Sequence, residues 1–184
     1  MPTSVIVAVV IGLGLAVLIG IAYNGLVRRR NRVDSTWSDV DVLLRRRHDL
    51  IPNLVGAVSG YAGHESSVLR EVAEARAAAI AASGPRARGD AESTLGGDVR
   101  TVLAVAEAYP ALKASESFLD LQHQLAATED GLEHARQFYN DSVFGYNNAI
   151  QTIPRSIVAA AFGFRARQFF QAAAAERANV QVRQ

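Results

Sequence analysis

The sequence predicts an all-α protein: an N-terminal transmembrane helix followed by an antiparallel bundle of about four helices. Three observations carry this. Residues 5–23, VIVAVVIGLGLAVLIGIAY, contain no charge. Beyond them, apolar residues recur at steps of three and four through most of the chain, the mark of a helix face. No segment shows strand alternation punctuated by hairpin turns. At 184 residues, 49% hydrophobic and 20% charged, the chain suits one modest domain and is too apolar for a disordered one.

As a helix, residues 5–23 extend roughly 28 Å, close to the hydrocarbon thickness of a bilayer. They lack the polar face of a helix buried on one side of a soluble core. A cleaved secretory signal is the competing reading. It fits less well, because no Lys or Arg precedes the run, the run is long for a signal core, and no A-x-A site follows. Residues 1–4 then form a short extracytoplasmic N-terminus. Arg28, Arg29, Arg30 and Arg32 mark the cytoplasmic side by the positive-inside rule and lie within reach of lipid headgroups. The expected location is the cytoplasmic (inner) membrane, single-pass, with the N-terminus outside and the bundle in the cytoplasm. Ala8, Gly12, Ala16 and Gly20 repeat every four residues. Such a stripe lets a second helix approach closely, but small residues are common in membrane helices, so both readings stand.

The soluble stripe starts at Val33, Trp37, Val40 and Leu44. It continues through Ile51, Val55, Val58, Ala62, Leu69, Val72 and Ile80. Asp34 and Asp41 lie four residues from Arg30 and Arg45, a spacing that allows exposed pairs worth about 0.3–0.5 kcal/mol each. Pro52 is expected to kink or break this helix. SGPRARGD at 83–90 is the clearest loop. A second helix is expected over about 91–109, along Leu95, Val99, Val102, Leu103 and Ala106, with Gly96–Gly97 weakening its start and Pro110 turning the chain. A third runs from a Ser115 cap along Phe118, Leu121, Leu125, Leu132, Ala135, Tyr139, Val143, Tyr146 and Ile150 to Pro154. The bundle is thus assigned residues 24–170 and a polar C-terminal tail 171–184.

RRRHDLIPNLV at 45–55 and GYAGHE at 60–65 resemble the LemA family, as do AEAYPALKASESFLDLQHQLAATED at 106–130 and RQFYNDSVFGYNNAIQTIP at 136–154. FGF at 162–164 and the later QFF fit the family's usual ending. The resemblance implies one membrane helix and a cytoplasmic bundle of about four helices, with no established enzymatic activity. Ser115 and Ser117 stand where the family often has Asn, and EDGL at 129–132 replaces an ENRI-like run.

Chemistry finds little purchase. Without cysteine there are no disulfides, thiolates or Cys-based zinc sites. Asp120 and His123 form one carboxylate-x-x-His unit but lack a twin. Asp130 and His134 share a helix face, and a solvated face is the better reading without further ligands. His64–Glu65 opens like a zincin motif without its second histidine. No nucleophile elbow or P-loop occurs. No catalytic, cofactor-binding or metal site is assigned, and a net charge of +1 gives no general pull toward nucleic acid.

The best polar cluster is Arg45, Arg46, Arg47, His48 and Asp49. It reads either as a partner-docking patch or as a helix face whose His48, lying on the apolar stripe, is satisfied by a carboxylate such as one from the third helix; the second reading is preferred. Tyr139 and Tyr146 are assigned to the core, and Asn140 and Asn147, seven apart, to fixing helix register. The tail holding Phe162, Phe164, Phe169 and Phe170 with Arg155, Arg165 and Arg167 reads as a lid over the bundle rather than an interfacial helix. The expected function is non-catalytic scaffolding or assembly at the membrane. Membrane lipid, a second copy of the chain and an unidentified protein are the candidate partners. The alternative is an accessory partner of a membrane protease or transporter.

Overall fold

The computed structural model describes residues 3–62 and 66–170; His64, Glu65 and the tail 171–184 lie outside them. Six helices occur there and no strand: α1 Thr3–Ser59, α2 Ser66–Ala81, α3 Pro85–Glu107, α4 Pro110–Lys113, α5 Glu116–Gln151 and α6 Arg155–Ala161. They form a helical bundle in two compact units. Among the described residues, one comprises residues 3–38 and 138–167, the other residues 39–62, 66–137 and 168–170. Helices α1 and α5 contribute to both.

In the second unit, α1, α2, α3, α4 and the first half of α5 enclose a core that includes Ile51, Leu54, Val58, Val72, Leu95, Val102, Leu112 and Phe118. Most of these lie on the predicted stripes. Ile80, which the stripe predicts to be buried, is exposed, and Ala79 is buried in its place. The interruption after Ser59 resets the helical phase, so α2 buries Val72 and Ala79 seven residues apart. On α5, Thr128 occupies the gap between Leu125 and Leu132; its hydroxyl donates to the Gln124 carbonyl at 2.7 Å, which satisfies it without leaving the helix.

Pro52 does not break α1. Its ring nitrogen has no proton to give the carbonyl four residues back, which is that of His48. Arg76 of α2 donates to this carbonyl through Nε at 2.7 Å. The orphaned acceptor therefore gains a side-chain donor, and the helix continues.

The expected 83–90 loop is largely helical. Pro85 occupies the first turn of α3, where its fixed φ suits the helix and its missing N–H costs nothing. Gly84 turns the chain into it at φ 84°, a conformation that disfavours any residue with a Cβ. Gly96–Gly97 accordingly fall inside α3 rather than near its start. Ser115 precedes α5 as expected, but it receives the Phe118 and Leu119 amides through its backbone carbonyl, while its hydroxyl meets that of Ser117.

In the first unit, the second half of α5 packs with α1 and α6. Tyr139 and Tyr146 are buried, and the Trp37 and Tyr139 rings lie 5.1 Å apart. Ala22, Leu26, Ala149, Val158 and Ala159 form a small core, against which Phe164 packs. The chain after α6 forms no helix or strand over 164–170. Asn147 holds it with both ends of its amide: Nδ2 donates to the Arg167 carbonyl and Oδ1 accepts the Arg167 amide, each at 2.9 Å. The Tyr146 hydroxyl donates to the Arg165 carbonyl at 3.0 Å. Asn147 thus fixes a chain segment rather than the register between helices. The Phe/Arg segment is not itself an interfacial helix over these residues. Asp34 pairs with Arg167 at 2.9 Å instead of with Arg30.

Two outcomes follow. Arg76→Leu is expected to destabilise the chain by about 1–3 kcal/mol, the cost of an unmet buried acceptor. In a Pro52→Ala background, where an amide can reach the His48 carbonyl, the penalty should shrink; a denaturant double-mutant cycle measures the difference. Burial pushes the Tyr139 phenol up to about 12, with Arg167 opposing and Asp34 adding to the rise. The unfolded phenol ionises near 10.0. The contribution of Tyr139 to stability is therefore complete below pH 10 and lost as pH rises toward 12. A phenolate absorbance titration beside helical circular dichroism should show folded-state ionisation delayed into that window.

Candidate functional site

Charge is concentrated at two places, one in each unit. In the second unit, the part of α1 that carries the arginine run divides its residues by helical phase. Arg45, Arg46 and Asp49 are exposed, whereas Arg47 and His48 point inward at 3% and 8% exposure. The five residues are therefore not one surface patch. Arg47 and His48 meet Glu92 of α3, which is 1% exposed. Arg47 Nη1 donates to Glu92 Oε2 at 3.0 Å, and His48 Nε2 donates to Oε1 at 2.6 Å. Arg47 Nη2 reaches Glu129 Oε1 of α5 at 2.8 Å. One guanidinium thus ties three helices, and both oxygens of a buried carboxylate are engaged.

His48 is satisfied by a carboxylate as preferred above, but the residue is Glu92 of α3, while α5 supplies Glu129 to Arg47. Glu92 was legible in outline. Extending the α3 stripe of Val99 and Leu95 back by three lands on it, and a carboxylate there calls for a buried cation. Gly96, one turn further on, leaves room for the guanidinium: a Cβ at this position would lie 2.9 Å from Arg47 Nη2.

Beside this cluster, a cleft of about 350 Å³ is lined by Asp41, Arg45, His48, Asp49, Arg76 and Arg88 among others. Its charges are largely committed. Asp41 accepts from Arg45 at 2.8 Å, the predicted pair, and from Arg88. Among the described residues, no group of three or more His, Cys, Asp or Glu is placed to hold a metal ion. The His134 ring nitrogen Nδ1 faces the backbone carbonyl of Asp130 at 2.7 Å rather than its carboxylate.

In the first unit, Arg28, Arg29, Arg30 and Arg32 are exposed, just beyond the apolar part of α1. Arg29 donates weakly to the Gly145 carbonyl at 3.4 Å, and Arg30 lies over the Phe164 ring. Residues from Val5 to Ile21 stand uncovered, including Ala8, Gly12 and Ala16, with Gly20 half-buried; space around Gly12 and Gly20 is open. This stretch is the part of α1 long and apolar enough to cross a membrane.

The LemA family model matches residues 36–183. The chain belongs to the LemA family. It is also similar to the magnetosome proteins MamQ 1 and MamQ 2 of Paramagnetospirillum magneticum, at 23% identity over 81% of this chain. MamQ of Magnetospirillum gryphiswaldense is 24% identical over 80%. The alignments cover 64% of each of these relatives. The LemA match begins one residue before Trp37 and so takes in the interior cluster of Arg47, His48, Glu92 and Glu129 but neither the juxtamembrane arginines nor Asp34. Family membership and the uncovered apolar helix together support a location at a membrane.

Glu92→Ala should cost about 3–5 kcal/mol, because it strands Arg47 and His48 in the interior. Glu129→Ala removes a half-exposed partner and should cost about 1 kcal/mol or less. Denaturant unfolding of the full chain in detergent, followed by helical circular dichroism, separates the two.

Proposed function

We propose that this LemA-family protein is a non-catalytic, single-pass membrane protein that scaffolds or assembles structures at the cytoplasmic membrane. The observation that carries this is the nature of α1. Its first third is apolar and uncovered on every side, and the same helix then supplies Leu44, Ile51, Leu54 and Val58 to a well-packed core. A helix with no polar face belongs in lipid, and its backbone satisfies itself there. The arginines after residue 27 favour the cytoplasm for everything that follows. Magnetosome proteins are among the relatives, which suits a role in organising membrane.

Self-association is assigned to Ala8, Gly12, Ala16 and Gly20, where small side chains allow close backbone approach. Crosslinking in native membranes tests the reading. A ladder of multiples of the chain is expected, and Gly12→Ile with Gly20→Ile should weaken it several-fold. A single crosslinked band containing a different protein, unaffected by these changes, would favour an accessory subunit of a membrane enzyme or transporter.

A further inference from the structure

Helix α6 and the turns that flank it display an apolar surface that the bundle does not use. Ile153, Ile157 and Phe162 are 77%, 68% and 57% exposed. The opposite side of α6 is buried: Val158 and Ala159 pack with Ala22 and Leu26 of α1. The Phe162 ring also contacts Tyr23, centroid to centroid 4.9 Å, in an edge-to-face arrangement. The position of α6 along α1 is thereby fixed. It sits beside residues 22–26, immediately after the uncovered apolar stretch ends at Ile21.

That position has a physical meaning once residues 3–21 are taken to fill the hydrocarbon, as proposed above. At 1.5 Å per residue they account for about 28 Å, nearly the full apolar thickness. Residues 22–26 then fall in the adjoining interfacial layer, several Å deep, where amphipathic helices rest their apolar sides. The charge pattern agrees. The unit formed by residues 1–38 and 138–167 carries seven arginines and only two acidic residues, Asp34 and Asp141. The chain as a whole is close to neutral at +1. The unit that displays these exposed apolar side chains is thus basic, the combination that an anionic membrane surface attracts.

We infer that Ile153, Ile157 and Phe162 form a second membrane contact, a platform that dips into the interface of the bilayer already crossed by α1. The occupant of this surface is lipid. The platform adds a fixed apolar foot at the base of the span, with Arg155 and the juxtamembrane arginines placed for headgroup phosphates.

The chain contains no cysteine, so single reporters are introduced without background. Full-length Ile157→Cys and Phe162→Cys are spin-labelled and reconstituted into phosphatidylcholine–phosphatidylglycerol vesicles. Leu13→Cys and the exposed α3 position Thr94→Cys serve as references, and circular dichroism verifies helicity for each. Collisional accessibility to oxygen and to a water-soluble nickel complex reports depth. The expected result is an oxygen-to-nickel accessibility ratio at 157 and 162 above unity and between those of the two references. Water-like ratios at 157 and 162, with Leu13 lipid-like, would overturn the platform while leaving the anchor intact. Protection from both reagents would also overturn it, in favour of a protein occupant. Water-like ratios at all four positions would sink the anchor and the platform together.

Discussion

The constraint on which the structure depends is that a helix backbone must satisfy its own hydrogen bonds wherever water is excluded. In α1 the demand applies where the helix enters the protein core and, on the reading proposed above, along the uncovered apolar stretch as well. Proline at 52 removes one donor from the ladder inside that core. Arg76 restores the balance from a neighbouring helix, so the helix that begins at Thr3 persists to Ser59. A local rule is met by a tertiary contact.

The same logic governs the interior polar side chains. Arg47 and His48 are placed inward by helical phase, and they are tolerable there only because Glu92 presents both carboxylate oxygens and Glu129 meets the remaining guanidinium nitrogen. Taking such a set out of water is costly, and the attraction within it offsets that cost only with good geometry. Its contacts join α1 to α3 and α5 at one register. An apolar seam tolerates sliding, whereas a guanidinium shared between α3 and α5 does not.

In the first unit, polar side chains do a comparable job for irregular chain. Tyr146 and Asn147 give hydrogen bonds to the segment after α6, where no helix or sheet ladder can supply them. Phe164 can then rest against the small core while Phe162 stays out, beside Tyr23. The distinction between the two phenylalanines separates what stabilises the protein from what is left for its surroundings.

Periodicity alone determined the helical class, the apolar span and most core positions on α1, α3 and α5, because a face repeating every three or four residues has one economical solution. It also gave the Asp41–Arg45 pair, whose partners share a helix. Contacts between residues far apart in sequence were decided only by the tertiary structure. Arg76 on the His48 carbonyl, Asp34 with Arg167 and the Asn147 clamp each join segments whose approach no local pattern encodes. The placement of Pro85 and Gly84 is intermediate: the residues signal a boundary, but whether a helix stops or starts there rests on what the next turn can bury. Sequence spacing reports the phase of one helix, whereas the pairing of buried charges and orphaned carbonyls depends on which other helix comes to lie opposite.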